Sequence, residues 1–317
     1  MAQRPLVSIV TPFYNEGEGV KHFYQVMAQA MEKMPDFDFE IVCVDDGSRD
    51  NTLEQLIAIS KTDPRVTVLE FSRNFGKEPA MTAGIDATTG NCVIPIDADL
   101  QDPPALIAEM LKKWQEGAEV VLAKRVDRST DSYAKRTTAL MFYRLHNTLS
   151  GLQIPENVGD FRLMDRVVVD ALKQLPERQR FMKGLFAWVG FKTATVEYVR
   201  DARLVGETKF SGWKLWNFAI EGITSFSLVP LKVWTYVGGI GALFAFCYAV
   251  FVVIKTLVFG IDVPGYASLL VVILFFGSLQ LICLGVLGEY IGRIYFESKQ
   301  RPLYLIRKRY SNKTSQQ

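Results

Sequence analysis

Asp97 and Asp99 are the residues whose type and spacing promise chemistry. They sit in the stretch Ile94-Pro95-Ile96-Asp97-Ala98-Asp99-Leu100-Gln101-Asp102-Pro103-Pro104. Two acids this close repel each other unless water solvates them or a cation lies between them. Hard divalent cations such as Mg2+ and Mn2+ take oxygen ligands, commonly one or two carboxylates completed by substrate phosphates. The pair therefore points to a metal–diphosphate site, with a solvated acidic turn as the plain alternative.

The elements around the pair decide between these readings. Val93 to Ile96 is an apolar run that reads as a short buried strand. The double proline after the carboxylates forbids its continuation. The acids thus fall at the carboxyl end of a strand, the edge where open α/β sheets bind ligands. Upstream, Leu6–Val10, Phe39–Val44 and Val66–Phe71 read as strands, with helices from about Gly19 to Met34, Thr52 to Ser60 and Pro79 to Thr88. Asp50 or Asn51 would cap the second helix. Pro104 opens a further helix to about Gln115, Glu119 to Ala123 is a fifth strand, and Gly159–Met164 and Phe191–Val199 are strand-like. Asp165 can cap a following helix. Strands alternating with helices predict a doubly wound, mostly parallel sheet. Five strand ends carry polar residues, Asn15/Glu16, Asp45/Asp46, Arg73/Asn74, Asp97/Asp99 and Lys124/Arg125. Their convergence on one edge describes a nucleotide cleft. No G-x-G-x-x-G follows the first strand, which disfavours a dinucleotide enzyme.

Composition narrows the class. The 317 residues carry a net charge of +2, so bulk electrostatics imply no nucleic-acid partner. Cys43, Cys92, Cys247 and Cys283 form no C-x-x-C pair, which argues against zinc or a disulfide framework. The two histidines, His22 and His146, are too few for a histidine-based metal site. Leu6–Val10 is too short for a secretory signal, so the N-terminal part is expected to stay in the cytoplasm.

The C-terminal third changes character. Tyr133 to Leu149 reads as an amphipathic helix with a basic side. From Gly212, Trp213, Trp216, Ile220 and Ile223 share one helical face suited to a membrane interface. Val233 to about Leu257 carries a single charge, Lys255, near its end, and Ser268 to about Val286 is uncharged. Each approaches or exceeds the ~20 residues that span a bilayer. The connection Phe259–Gly265 lacks Lys and Arg, whereas Arg293, Lys299, Arg301, Arg307, Lys308 and Arg309 follow the second run. The positive-inside rule then places that tail and the N-terminal domain in the cytoplasm. Glu289 and Arg293 are spaced to pair at the boundary.

Pro12-x-Tyr14-Asn15-Glu16, Asp45-Asp46-Gly47-Ser48, Asp97-Ala98-Asp99 and Gln101-Asp102-Pro103-Pro104 resemble the inverting glycosyltransferases of family 2, with the GT-A fold. Gly206-Glu207-Thr208-Lys209-Phe210-Ser211 and Leu287-Gly288-Glu289-Tyr290-Ile291-Gly292-Arg293 are similar to the polyisoprenyl-phosphate branch, nearest the bactoprenol glucosyltransferase type. Thr208 stands where that pattern has Ser and keeps the hydroxyl. The resemblance implies four segments: a GT-A domain over 1–211, an interfacial amphipathic helix over 212–230, two transmembrane helices over 231–295 and a basic cytoplasmic tail over 296–317. It implies that Pro12, Tyr14 and Glu16 line the base and ribose pocket and that Asp46 contacts uracil or ribose. Asp97 and Asp99 form the metal site with Gln101 in support, Asp99 being the direct ligand. Asp160 is the carboxylate near the reacting centre, catalytic or orienting, with a salt bridge to Arg162 as the structural alternative. Arg203 and Lys209 are candidates to clamp the diphosphate. Lys124, Arg125, Arg128 and Arg136 are candidates to hold the lipid phosphate.

The activity implied is transfer of one sugar, glucose from UDP-glucose, to undecaprenyl phosphate with inversion at the cytoplasmic face of a bacterial plasma membrane. Mg2+ or Mn2+ would neutralise the departing diphosphate. A phosphate monoester has a second pKa near ~6, so the acceptor needs positioning more than deprotonation. Mannose, N-acetylglucosamine or a formamido-aminoarabinose are alternative sugars. A processive polysaccharide synthase would carry Q-x-x-R-W, which is absent. A non-catalytic membrane scaffold would have lost part of the acidic set, yet Asp46, Asp97 and Asp99 all stand. A homo-oligomer is expected, and a lipopolysaccharide O-antigen is one downstream glycan that analogy offers.

Overall fold

The computed structural model describes residues 4–126, 158–198 apart from 176, 179 and 181, 229–259 and 265–312. The expected helix over 133–149, the interfacial segment up to residue 228 and the loop 203–211 lie outside the described residues.

An eight-stranded sheet organises these residues, in the order β7-β5-β6-β4-β1-β2-β3-β8. Its strands are β1 (Leu6–Phe13), β2 (Asp38–Asp45), β3 (Val66–Phe71), β4 (Cys92–Pro95), β5 (Val120–Arg125), β6 (Val158–Asp165), β7 (Thr193–Tyr198) and β8 (Ile306–Ser311). The helices are α1 (Val20–Glu32), α2 (Thr52–Thr62), α3 (Lys77–Ala87), α4 (Leu106–Gln115), α5 (Arg166–Lys173), α6 (Met182–Trp188), α7 (Val229–Phe259) and α8 (Tyr266–Ser298). The central strands read as near-continuous apolar runs because both faces of the sheet are covered. Val7, Ile9, Ile41, Cys43, Val68 and Ile94 pack on one face under α1, α2 and α4. Val10, Val42, Val44, Leu69 and Val93 pack on the other under α3, α5 and α6. The period of two along each strand assigns the face. On α1, Val20, Phe23, Met27 and Met31 form one buried stripe at helical spacing.

Strands β4, β1, β2 and β3 run parallel, as the sequence predicts, and so do β5 and β7. One insertion departs from the alternating pattern. Strand β6 lies antiparallel between β4 and β5, pairing Val93 with Met164 and Val121 with Leu163. Its amino end therefore lies at the same edge as the carboxyl ends of its neighbours. Asp165 caps α5 as expected, accepting from the Val167 N–H at 3.0 Å, and also accepts from the Trp114 indole at 2.6 Å.

The basic segment 296–317 holds a strand that its sequence does not announce. Ile306–Ser311 forms the edge strand β8, antiparallel to β3. Its side chains are mostly exposed and charged, which reads as a solvated tail, yet edge pairing uses backbone groups. Tyr310 donates to Glu70 at 2.7 Å, Arg307 pairs with Glu70 at 3.3 Å, and Tyr304 stacks on Phe71 at 5.3 Å between ring centres. Just before it, Glu297 accepts from the Arg178 backbone N–H at 2.8 Å. The end of α8 is thereby tied to the sheet domain.

Helices α7 and α8 hold 31 and 33 residues. Their apolar side chains are largely exposed, among them Phe244, Phe246, Phe251, Leu281, Ile282 and Ile291. Among the described residues, Phe275–Ser298 is long and apolar enough to cross a membrane. Glu289 and Arg293 pair at 3.0 Å, as their spacing predicts. All four cysteines are free, with Cys43 and Cys92 buried in the sheet.

Candidate active site

The carboxyl ends of β1 to β5 meet at one edge, and the chain leaves β1 to β4 there through loops. After β4, the Ile96 N–H still donates to the Val10 carbonyl at 2.9 Å, which fixes the start of the Asp97–Asp99 turn. Leu100 takes a left-handed φ of 52°, and the Asp99 carboxylate accepts from the Gln101 N–H at 3.2 Å. Gln101 and Asp102 are buried beneath the turn, and the Tyr198 hydroxyl donates to Asp102.

The loops after β1 and β2 are stitched together. Asn15, with a φ of 53°, donates its N–H to the Ser48 hydroxyl at 3.0 Å and accepts from the Arg49 N–H at 2.8 Å. Pro12 is half-buried, whereas Tyr14 and Glu16 are exposed on the rim. The Glu16 carbonyl accepts from Gly19 at 2.8 Å and Val20 at 3.2 Å, opening α1. Asn51 holds the N-cap position of α2 without a side-chain bond, and Asp50 beside it accepts from Thr52 N at 3.1 Å.

Asp46 has partners that its sequence context does not suggest. Its two carboxylate oxygens accept the backbone N–H groups of Phe75 at 2.6 Å and Gly76 at 2.9 Å. It is buried, and burial pushes its pKa up against those two hydrogen bonds. Gly47 follows with a φ of +67°, and a Cβ there would lie 2.6 Å from the backbone of both Arg73 and Asn74. The segment Ser72–Gly76 is therefore held against the end of β2 by an acid and by the absence of a side chain. Arg73 stacks its guanidinium over Phe75 at 4.1 Å within the same segment.

That loop delivers Lys77 at the start of α3. Its ammonium lies 2.8 Å from Asp97 and 2.9 Å from Asp160. Burial acts to lower the Lys77 pKa, but the charges and hydrogen bonds of Asp97 and Asp160 outweigh it and raise the value. Asp160 reaches this point because β6 runs antiparallel and starts at the cleft edge. Asp160 pairs with Lys77, and its charge also acts on Arg162. Arg162 is buried, donates to the Gly159 carbonyl at 2.7 Å and stacks on Phe186 at 4.0 Å. Burial lowers its pKa to about 10, which leaves it charged at neutral pH.

The structure thus brings Asp97 and Asp160 together on a residue to which the sequence assigns no role, Lys77, with Asp99 two residues along the same turn. Lys124 pairs with Glu197 on β7 at 3.5 Å, and Arg125 ends β5 beside it. Arg128, Arg136, Arg203 and Lys209 lie outside the described residues. Among the described residues no three His, Cys, Asp or Glu side chains converge as a metal cage. Asp97 and Asp99 supply hard oxygen donors, and an ammonium already sits against Asp97 as a stand-in cation. This set fits a Mg2+ or Mn2+ ion that takes its remaining ligands from phosphates and water.

Comparison with known proteins places this cleft. The family model for glycosyl transferase family 2 matches residues 8–173. The chain belongs to glycosyltransferase family 2. A second model, the GtrB C-terminal hairpin, matches residues 229–294. The bactoprenol glucosyl transferase of Shigella phage SfX is 56% identical over 96% of this chain and 99% of its own length. The prophage bactoprenol glucosyl transferase homolog of Escherichia coli K12 is 54% identical over 95% and 98%. A glucosyl-3-phosphoglycerate synthase from Mycobacterium tuberculosis, crystallised with Mn2+, uridine diphosphate and phosphoglyceric acid, aligns with a TM-score of 0.50 at 20% identity. That alignment covers 69% of this chain and 76% of the synthase, and it is a likeness of fold. The fold is GT-A, a Rossmann-like, mostly parallel sheet, and family membership makes the chain an enzyme that transfers sugars.

Proposed function

We propose that this enzyme transfers a single sugar, glucose from UDP-glucose, to undecaprenyl or another polyprenyl phosphate, with inversion at the sugar carbon. The observation that carries this reading is the similarity to bactoprenol glucosyl transferases over essentially the whole chain, the C-terminal hairpin included. The donor lies across the carboxyl edge of the sheet, its base and ribose against Pro12, Tyr14 and Glu16. Asp46 acts at that end by holding the Ser72–Gly76 loop as its floor. Asp97 and Asp99 would hold the divalent ion, with Gln101 supporting the turn from beneath. Bound there, the ion would neutralise charge growing on the leaving diphosphate. Arg203 and Lys209 are the candidates to clamp that diphosphate.

The acceptor enters from the β5 side. Lys124, Arg125, Arg128 and Arg136 hold its phosphate, which attacks from the face opposite the departing diphosphate. The phosphate is already ionised at neutral pH, so Asp160 orients it, or takes its last proton, at the reacting centre.

One helix long and apolar enough to cross a membrane, Phe275–Ser298, supports the lipid side of this reading. A 31-residue helix is about 46 Å long at ~1.5 Å per residue, longer than a bilayer's ~30 Å hydrocarbon core. We assign α7 and α8 as a transmembrane hairpin, with 1–211 and 296–317 cytoplasmic, 212–230 interfacial and the plasma membrane as location. Assembly of several copies through the hairpin fits the same arrangement.

A transfer assay tests the whole reading. Purified protein in detergent receives undecaprenyl phosphate, Mg2+ or Mn2+, and a panel of radiolabelled nucleotide sugars. Label in the organic phase from UDP-glucose, lost in Asp99→Asn and with a chelator, is the expected result. Transfer from another donor would reassign the sugar. No transfer from any donor, with folded protein and accessible lipid, would overturn the reading.

A further inference from the structure

Lys77 carries an inference that goes beyond sugar transfer itself. Its ammonium bridges two carboxylates separated by 20 and 83 residues from it along the chain. Such a bridge is not an accident of a floppy side chain. The loop in front of Lys77 is held by both oxygens of Asp46 and by the close approach at Gly47, and Gly76 at φ +104° turns the chain into α3. Three separate features thus fix one ammonium between Asp97, on the metal turn, and Asp160, at the reacting centre.

We propose that Lys77 is a positioning residue that serves as an internal counter-ion, occupying Asp97 until a metal-bound nucleotide arrives and tying Asp160 to the metal turn. This rests on the reading of Asp97 and Asp99 as the metal–diphosphate site. Without nucleotide, a divalent ion must compete with the ammonium for Asp97, and the two like charges repel. When a diphosphate enters, it offers the ammonium a new anionic partner. The ion and the nucleotide then bind together more readily than either binds alone. A bare metal ion is thereby kept from settling in the cleft, and Asp160 stays aimed at it.

Manganese binding to the full-length protein in detergent tests this, read from the loss of the free Mn2+ electron-paramagnetic-resonance signal. Lys77→Gln is expected to bind Mn2+ without nucleotide about tenfold more tightly than wild type, the scale of two partly screened ion pairs released together. Addition of UDP should tighten wild type more than the variant, closing most of that gap. Lys77→Arg, which keeps the charge, should bind within about threefold of wild type. A lysine that merely supported the fold would weaken metal binding when removed, so the direction of change separates the roles. Equal or weaker binding by Lys77→Gln, with Asp97→Asn abolishing binding in both backgrounds, would overturn the counter-ion and leave the metal site standing. Binding insensitive to Asp97→Asn, with or without UDP, would overturn the metal site and the counter-ion together. Lys77→Met, closer in shape, is measured in parallel. Failure of both neutral variants to fold would assign Lys77 to stability and overturn the proposal.

Discussion

Replacing Gly47 with alanine tests the loop on which the cleft depends. The backbone there has φ +67°, and an L-residue in the left-handed region costs roughly 1–2 kcal/mol. The added Cβ would also lie 2.6 Å from backbone atoms of Arg73 and Asn74. Backbone cannot swing aside as a side-chain tip can, so the segment must shift, at roughly 1–3 kcal/mol for an overpacked site. Together these give about 2–5 kcal/mol, or a fall in Tm of roughly 5–15 °C for a domain of this size. Gly190 supplies the control. It has φ +68°, but among the described residues a Cβ there meets only the Trp188 carbonyl at 3.7 Å. Gly190→Ala should therefore show the conformational part alone, roughly 2–6 °C. A thiol-reactive dye follows unfolding as a late phase, because Cys43 on β2 and Cys92 on β4 are buried until the sheet opens, whereas the exposed Cys247 reacts at once. Sugar transfer should also fall further in Gly47→Ala, since the displaced segment carries Lys77. Equal melting temperatures for the two variants, within about 1 °C, would refute the packing of this loop against β2.

Three further expectations follow from contacts remote from the cleft. Asp165→Ala removes the cap of α5 and strands the Trp114 indole N–H, so chemical denaturation should show a loss of about 2–3 kcal/mol. Burial alone would raise the Asp63 pKa, but hydrogen bonds from Arg65 and Tyr24 outweigh it and hold the carboxyl below its usual range. A lowered folded-state value contributes stability that is fully present above the ordinary aspartate pKa of 3.8 and lost as the pH falls from there through the lowered folded-state value, so Asp63→Asn should flatten the acid limb of a stability–pH curve. An unchanged acid limb would remove Asp63 from that account. Glu70→Gln weakens the contacts from Tyr310 and Arg307, and amide exchange over 306–311 should accelerate several-fold while β1 and β4 stay protected.

The strands under the cleft were legible because burial on both faces demands unbroken apolar runs, and Val66–Phe71 was read with its observed bounds. The carboxylate turn was legible for a different reason: its chemistry is local, two acids on one short loop. Strand β6 was visible as a strand, but its antiparallel place between β4 and β5 was not. A pattern of side chains states which face is buried and says nothing of the neighbour. Strand β8 was missed as a strand because its alternation is masked by charge on an exposed edge. Asp46 carried the right residue type for a ligand, yet its oxygens serve the backbone of a loop some thirty residues away.

Residue order by itself determined the layered α/β class, the acidic turn at a strand end and the long apolar segments after residue 229. Each follows from periodicity or from neighbours along the chain. Tertiary structure alone decided that Lys77 sits between Asp97 and Asp160, that Arg162 turns inward onto Phe186, and that the chain's end closes the sheet. Those pairings join residues far apart in sequence. They exist because the sheet brings strand ends to one edge, where unlike charges at under 3 Å find each other.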